Sequence, residues 1–351
     1  MNSKIILEFK NMKKYNLILN KFIKKIKKIY LVFFLIFFIF FYQIKKKNTT
    51  NNQFEDINIK KYNNYPVLEN LKFAIIRRIE CIQCGFFSNY IVYLGCINSF
   101  LEKGFIPIID LQSYDNVLNG FNSKKSSKNP WEYFFYQPFG YRLNSIKKAR
   151  KIQYFECKSD NIRPNENIFY NKKINNFWHN ISKMYLPINK KLLSKTKIII
   201  KKLFKDSNNI LGILIRGTDY ISLKPKDHPI PPKPSIVIKD IKRINLKNNY
   251  DWFFISTEDD SIRDKFIKEF GNKLKFLIYK KINYNYTNKQ FLSYNANVKG
   301  NIKFIKIYLI NMIILSKCID IITAKTSGAI GVFILSNGFR YSKVYNLGYY
   351  K

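Results

Sequence analysis

The chain has 351 residues and carries 62 Lys and Arg against 23 Asp and Glu, a formal net charge of +39. Its length accommodates two domains of ordinary size. Such an excess of base points to nucleic acid, anionic lipid or an anionic substrate. The lysines are scattered among Asn, Ile and Tyr and gather in no nucleic-acid-binding motif, which argues against nucleic acid as the partner. The five cysteines are too few for a disulfide scaffold in a chain this long.

Lysines 21, 24, 25, 27 and 28 lead into Ile29–Ile44, a charge-free run of mostly Phe, Ile and Leu that Lys45–Lys47 close. At about 1.5 Å per residue the run is short for a hydrocarbon core of about 30 Å, but flanking lysines that snorkel extend it. No small-residue cleavage site follows, so the expectation is an uncleaved transmembrane anchor over 29–44. The greater number of lysines before it places the basic tail, 1–28, in the cytosol. Residues 45–64 are polar and Asn-rich and read as a stem.

Lys72–Ile79 reads as a strand, Cys84–Asn89 as a glycine turn, Tyr90–Lys103 as a helix and Phe105–Asp110 as a second strand. This is a βαβ pattern. Gly85, Ser88 and Asn89 then lie at a helix N-terminus, either as a simple cap or with backbone N–H groups facing a cleft. Cys81 and Cys84 form a CxxC with no second pair at zinc spacing, which reads as structural thiols or one optional disulfide. Asn129–Phe135 (NPWEYFF) is an aromatic cluster. Trp131 within it is either core or a platform for a sugar ring.

Ile188–Phe204 reads as a basic amphipathic helix leading into a second domain. Ile210–Ile215 is a short branched apolar run, hence a buried parallel strand. It breaks into Arg216, Gly217, Thr218, Asp219 and Tyr220, so a guanidinium, a hydroxyl and a carboxylate stand where ligands bind in open α/β sheets. The alternative is a local ion pair at a strand end. Prolines 225, 229, 231, 232 and 234 then predict a stiff loop holding His228. Asp251–Ser256 is another strand. It ends in Thr257, Glu258 and Asp259, which either cap the helix Ser261–Phe270 or touch a nucleoside. After the helix Lys303–Lys317 and the strand Ile319–Thr323 comes the small, hydroxyl-rich turn Lys325–Gly331. There Thr326, Ser327 and Gly328 can cradle a diphosphate with Lys325 as counter-charge, or serve only tight packing.

The run Ile215–Asp219 with His228-Pro229 resembles the donor-binding motif of the α-1,6-fucosyltransferase superfamily, which includes the nodulation fucosyltransferases. In that pattern a strand leads into Arg-Arg-Thr-Asp and a loop reaching His-Pro. Arg216, Thr218, Asp219 and His228-Pro229 match it. Gly217 stands where the second Arg would be, and Lys224 stands near the place of a carboxylate proposed as the base. The GFFSN turn and the NPWEYFF segment resemble those of bacterial polysaccharide-locus proteins that also carry RGTDY, which extends the likeness across most of Phe73–Tyr349.

The resemblance implies an α/β chain of GT-B type, with two facing Rossmann-type domains at 65–187 (acceptor side) and 188–351 (nucleotide-sugar side). It implies a membrane-anchored, inverting glycosyltransferase moving fucose from GDP-fucose to a glycan acceptor, without a metal or other cofactor. Arg216, Asp219 and His228 are then the catalytic candidates. Gly217, Thr218, Tyr220, Thr257, Glu258, Asp259, Thr326, Ser327 and Gly328 are the donor-binding ones. Gly85, Ser88, Asn89 and Trp131 line the acceptor side. The protein is expected as a single-pass membrane protein with a cytosolic N-terminus, in a Golgi-like membrane of a eukaryote or the inner membrane of a bacterium. Two other readings stand beside this one: an inactive membrane-tethered nucleotide or sugar binder, and a basic nucleic-acid protein.

Overall fold

The computed structural model describes residues 71–82, 84–119, 128–158, 163–277 and 300–351, all within one unit that spans Pro66–Lys351. The expected tail, anchor and stem lie outside the described residues. No helix among the described residues is long and apolar enough to cross a membrane.

Two parallel sheets organise the unit. The first comprises β1 (Lys72–Arg77), β2 (Ile106–Ile109) and β3 (Lys151–Glu156) in the order β2-β1-β3, with Ile75 opposite Ile108 on one side and Tyr154 on the other. The 17-residue helix α1 (Phe86–Glu102) crosses from β1 to β2 and is apolar nearly all round, burying Phe86, Phe87, Tyr90, Val92, Tyr93, Leu94 and Ile97. A helix with no polar face must be covered on both sides. Here the first sheet and the helices of the second half provide the cover. The amphipathic helices α2 (Lys172–Tyr185) and α3 (Lys190–Phe204) follow, each opened by an Asn whose side chain accepts backbone N–H groups of the first turn.

The second sheet contains β4 (Ile210–Leu214), β5 (Trp252–Ser256), β6 (Leu274–Lys275), β7 (Asp320–Ala324) and β8 (Tyr341–Tyr345), all parallel and ordered β6-β5-β4-β7-β8. Taken in chain order this is 3-2-1-4-5, so the winding reverses between β4 and β7. Helices α5 (Pro234–Asn248) and α6 (Asp260–Phe270) cover one face, with Val237, Ile241, Ile262 and Phe266 buried on Leu211, Ile213 and Ile255. Helices α7 (Ile302–Leu315) and α8 (Ser327–Leu335) cover the other and share a core with α1. Gly331 of α8 permits that union, because a Cβ there would lie inside the ring of Phe87.

Several boundaries differ from the sequence expectation. Helix α1 begins at Phe86, so Ser88 and Asn89 belong to its first turn rather than to a preceding loop. Thr218–Leu223 forms the short helix α4. The proline-rich loop stops at Lys233, because Pro234 occupies the first position of α5, where the missing N–H costs nothing. Two cysteine pairs are joined, Cys81–Cys84 and Cys96–Cys157, where the sequence suggested at most one disulfide, and Cys318 is free and buried.

Candidate active site at the carboxyl edge of the second sheet

Fully buried β4 delivers Arg216 to the carboxyl edge of its sheet, beside the point where the winding reverses. In open α/β sheets the strand ends part there and leave a crevice for a ligand. Arg216 is held by two acids. Its Nη2 donates to Asp219 Oδ1 at 2.6 Å, and its Nε lies 3.4 Å from Glu258 Oε1, beyond β5. Burial lowers the guanidinium's pKa, but Glu258 and then Asp219 outweigh it and hold the group above its ordinary value. Burial raises the Glu258 carboxyl above the usual carboxylate range, with Arg216 opposing. The guanidinium also lies over the Tyr220 ring, 4.7 Å from its centroid, and the His228 ring meets Tyr220 edge-on at 5.3 Å. The side chain of Arg216 remains 22% exposed. Of its five N–H donors, one on Nη2 goes to Asp219, while the buried Nε makes an ion pair with Glu258 but no hydrogen bond.

The acids of the β5 loop secure the loop of Arg216. Glu258 Oε1 accepts from Gly217 N at 2.9 Å and from Thr218 Oγ1 at 3.1 Å, and Asp259 Oδ2 accepts from Thr218 N at 3.1 Å. Through Oδ1, Asp259 also caps α6 at Ser261 N and Ile262 N. Thr257 Oγ1 in turn accepts from Asp259 N. Thus all three point into the protein, and the capping alternative describes Asp259. This arrangement accounts for Gly217: a Cβ there would stand 2.5 Å from Asp259 Oδ2 and 2.6 Å from its Cβ. No side chain, an arginine's included, fits while Asp259 keeps that place. Thr218 has φ +38°, a left-handed conformation that a β-branched residue adopts only under constraint, and its N–H bond to Asp259 with its hydroxyl placed between Glu258 and Asp219 supplies it.

Across the reversal point, Thr326 caps α8 by accepting from Ala329 N, with Ser327 and Gly328 in the first turn. The space beside Gly328 is bounded by Tyr308 Oη, 2.9 Å from where a Cβ would sit, and by Leu214 of β4 at 3.9 Å. The first turn of α8 therefore packs beside the end of β4, the strand that leads into Arg216. Tyr308 carried no sequence signal, since it is one of 25 tyrosines in the chain and lies on an apolar helix. Its phenol is buried beside Arg216, and burial raises its pKa. Lys325 is not a loose counter-charge: its Nζ pairs with Glu166 at 2.6 Å.

On the first sheet, Gly85 caps α1. Ser88 Oγ and Asn89 Oδ1 both accept from Arg78 Nη1 at 3.1 Å, and Asn89 Nδ2 donates to Cys84 O at 3.0 Å. Arg78, which follows β1, is buried, and desolvation lowers its pKa. Sequence reasoning passed over it because the second of two adjacent arginines at a strand end looks like a solvated charge. Trp131 is a core residue and not a sugar platform. It is 0% exposed, and its ring stacks on Phe135 at 4.7 Å, so neither face is open to a ligand. Lys224, exposed and left-handed at φ 45°, ends α4. Among the described residues no group of three or more His, Cys, Asp or Glu could hold a metal ion.

No family model and no curated protein matches the chain. Solved structures do. NodZ alpha-1,6-fucosyltransferase soaked with GDP-fucose aligns at 12% identity over 76% of this chain and 93% of its own, with a TM-score of 0.42. Fucosyltransferase NodZ from Bradyrhizobium aligns over the same shares at the same identity and TM-score. POFUT1 in complex with GDP aligns at 10% identity over 79% of this chain and 98% of its own, with a TM-score of 0.43. The likeness is to fucosyltransferase-like proteins, and at these values it assigns no role to any residue.

Proposed function

We propose that the protein is an inverting glycosyltransferase of GT-B type that moves fucose from GDP-fucose to a glycan acceptor. The observation that carries this reading is the pairing, across the β4/β7 reversal, of a fixed guanidinium with the N-terminal turn of α8. Departure of a nucleoside diphosphate from an oxocarbenium-like sugar needs positive charge and N–H donors already in place as the charge develops. Arg216 supplies the charge, oriented by Asp219 and Glu258 so that little rearrangement accompanies the reaction. The first-turn N–H groups of Ser327 and Gly328 supply donors aligned with the helix dipole. This assignment calls for no metal. The choice of fucose and guanine rests on the Arg216–Asp219 and His228-Pro229 resemblance, and His228, linked through Tyr220, is a contact to donor or acceptor.

The local charge requires an additional element. Glu258, Asp219 and Asp259 outnumber Arg216, so an incoming diphosphate meets excess acid. Glu258, already pushed toward its neutral form by burial, is the group that takes up a proton as the diphosphate binds. The same excess favours the second reading, a nucleotide-sugar binder without turnover.

The membrane anchor at 29–44 with a cytosolic N-terminus, in a Golgi-like or bacterial inner membrane, belongs to the proposal. Its support is the apolar run between lysines. The two disulfides suit a catalytic unit on the oxidising side.

Donor kinetics on folded Arg216→Ala and Arg216→Lys proteins test the reading. Both are expected to lose kcat beyond any change in donor affinity, with Lys retaining slightly more, because an ammonium lacks the planar fork. Turnover close to wild type in either would refute it. Donor binding without turnover in the wild-type protein would establish the binder instead.

A further inference from the structure

The first sheet carries a second crevice whose contents the proposed reaction does not use. Its strand order also reverses, between β1 and β3, where β2 lies on one side of β1 and β3 on the other. On the face of the sheet away from α1, a cavity of about 520 Å³ opens at this reversal. Ile75, Ile146 and Ile152 line it, together with Arg77, Lys147 and Tyr154. That size suits one or two sugar rings or a drug-sized molecule.

Its polar groups are built rather than incidental. Asp110, fully buried, accepts from Arg77 Nε at 2.7 Å, from Gln112 N and Ser113 N at 2.9 and 3.0 Å, and from Ser113 Oγ at 2.5 Å. This fixes Arg77 by one edge. Among the described residues its Nη1 and Nη2 groups take part in no hydrogen bond, and together they form the edge that matches a carboxylate or phosphate in two parallel bonds. The guanidinium lies 4.5 Å from the centroid of the Tyr154 ring, which is 61% exposed overall. Lys147 adds a second cation and has no carboxylate within salt-bridge reach among the described residues. Two cations, an exposed aromatic ring and a branched aliphatic floor in one crevice match a ligand that is anionic at one end and presents C–H faces elsewhere. The carboxamides of Gln112 and Asn144 suit hydroxyl groups.

The geometry points to a second ligand site here, for a saccharide bearing a carboxylate or phosphate. It is built by Arg77, Lys147 and Tyr154, with Asp110 as the residue that positions Arg77. The site stands independently of Arg216 and holds for a transferase or for a binder.

Isothermal titration of the full-length protein in detergent tests it with four probes: trigalacturonate, glucose 6-phosphate, neutral maltotriose and inorganic phosphate. One or both anionic sugars should bind, at least about tenfold more tightly than maltotriose or inorganic phosphate, as loss of a charge-assisted contact implies. Which of them binds names the anionic group. Lys147→Gln and Tyr154→Ala, both surface changes, should each weaken that binding about tenfold. Lys197→Gln on exposed α3 should not, and it controls for general attraction to a basic protein. The inference is overturned if neither anionic sugar binds, if inorganic phosphate or maltotriose binds as tightly, or if Lys147→Gln weakens binding no more than Lys197→Gln.

Discussion

Replacing Gly217 by alanine probes whether the loop of Arg216 is held as described. The φ of Gly217, −130°, is not a left-handed one, and the effect argued here is that of space. The added methyl would sit 2.5 Å from Asp259 Oδ2 and 2.6 Å from its Cβ, far inside contact distance, and Asp259 must leave. Asp259 then gives up its cap on α6, worth about 1 kcal/mol. It also abandons the buried N–H of Thr218, which costs about 1–3 kcal/mol when unpaired. The sum is about 2–4 kcal/mol, and at about 2–4 °C per kcal/mol for a chain of this size the melting temperature should fall by about 4–16 °C. Thermal unfolding followed by near-UV circular dichroism reads the shift. A double-mutant cycle identifies the cause. Asp259→Gly removes every atom in the way, so Gly217→Ala should cost little further in that background, a strongly non-additive result. A Gly217→Ala protein melting within about 1 °C of wild type would show that Asp259 does not fill that space.

Three further expectations concern the same edge and the chain before it. Glu258 is raised above its usual range in the free protein, and an anion nearby raises it further, so a proton is taken up on binding. GDP affinity should therefore increase from pH 7 to pH 5 more steeply in wild type than in Glu258→Gln, by titration calorimetry, and equal slopes would remove Glu258 from the account. Gly328→Val must displace Tyr308 Oη and fill the mouth of the α8 turn, and should weaken GDP binding about tenfold or more in a thermal-shift titration, whereas unaltered binding would make the turn packing alone. Deleting the residues before Asn48 should release soluble, active protein, and full-length chain recovered without detergent would exclude the anchor.

Patterns that are local in sequence were legible. Short apolar runs at Ile210–Leu214 and Trp252–Ser256 and the small-residue turn before α8 announce themselves, because burial on both faces of a parallel sheet demands continuous apolar residues. The break at Arg216 after such a run was enough to mark the carboxyl end of a central strand. Exposed, mixed segments were not legible. Lys151–Glu156 (KIQYFE) mixes charged, polar and apolar residues with no continuous apolar run, and β1 pairs with it along its length.

What the sequence by itself determined is therefore the order of the buried strands and the chemistry at their ends. Tertiary structure alone decided which ends meet. The order β6-β5-β4-β7-β8 brings Leu214, at the end of β4, beside Gly328, although more than a hundred residues separate them, and sets Glu258 and Asp259 under Gly217. It also took Trp131 out of solvent, paired Lys325 with Glu166, and turned Thr257, Glu258 and Asp259 from ligand contacts into supports. A side chain's type is written in the chain. Its partner depends on which strands lie side by side, and that follows from how the whole chain packs its apolar faces.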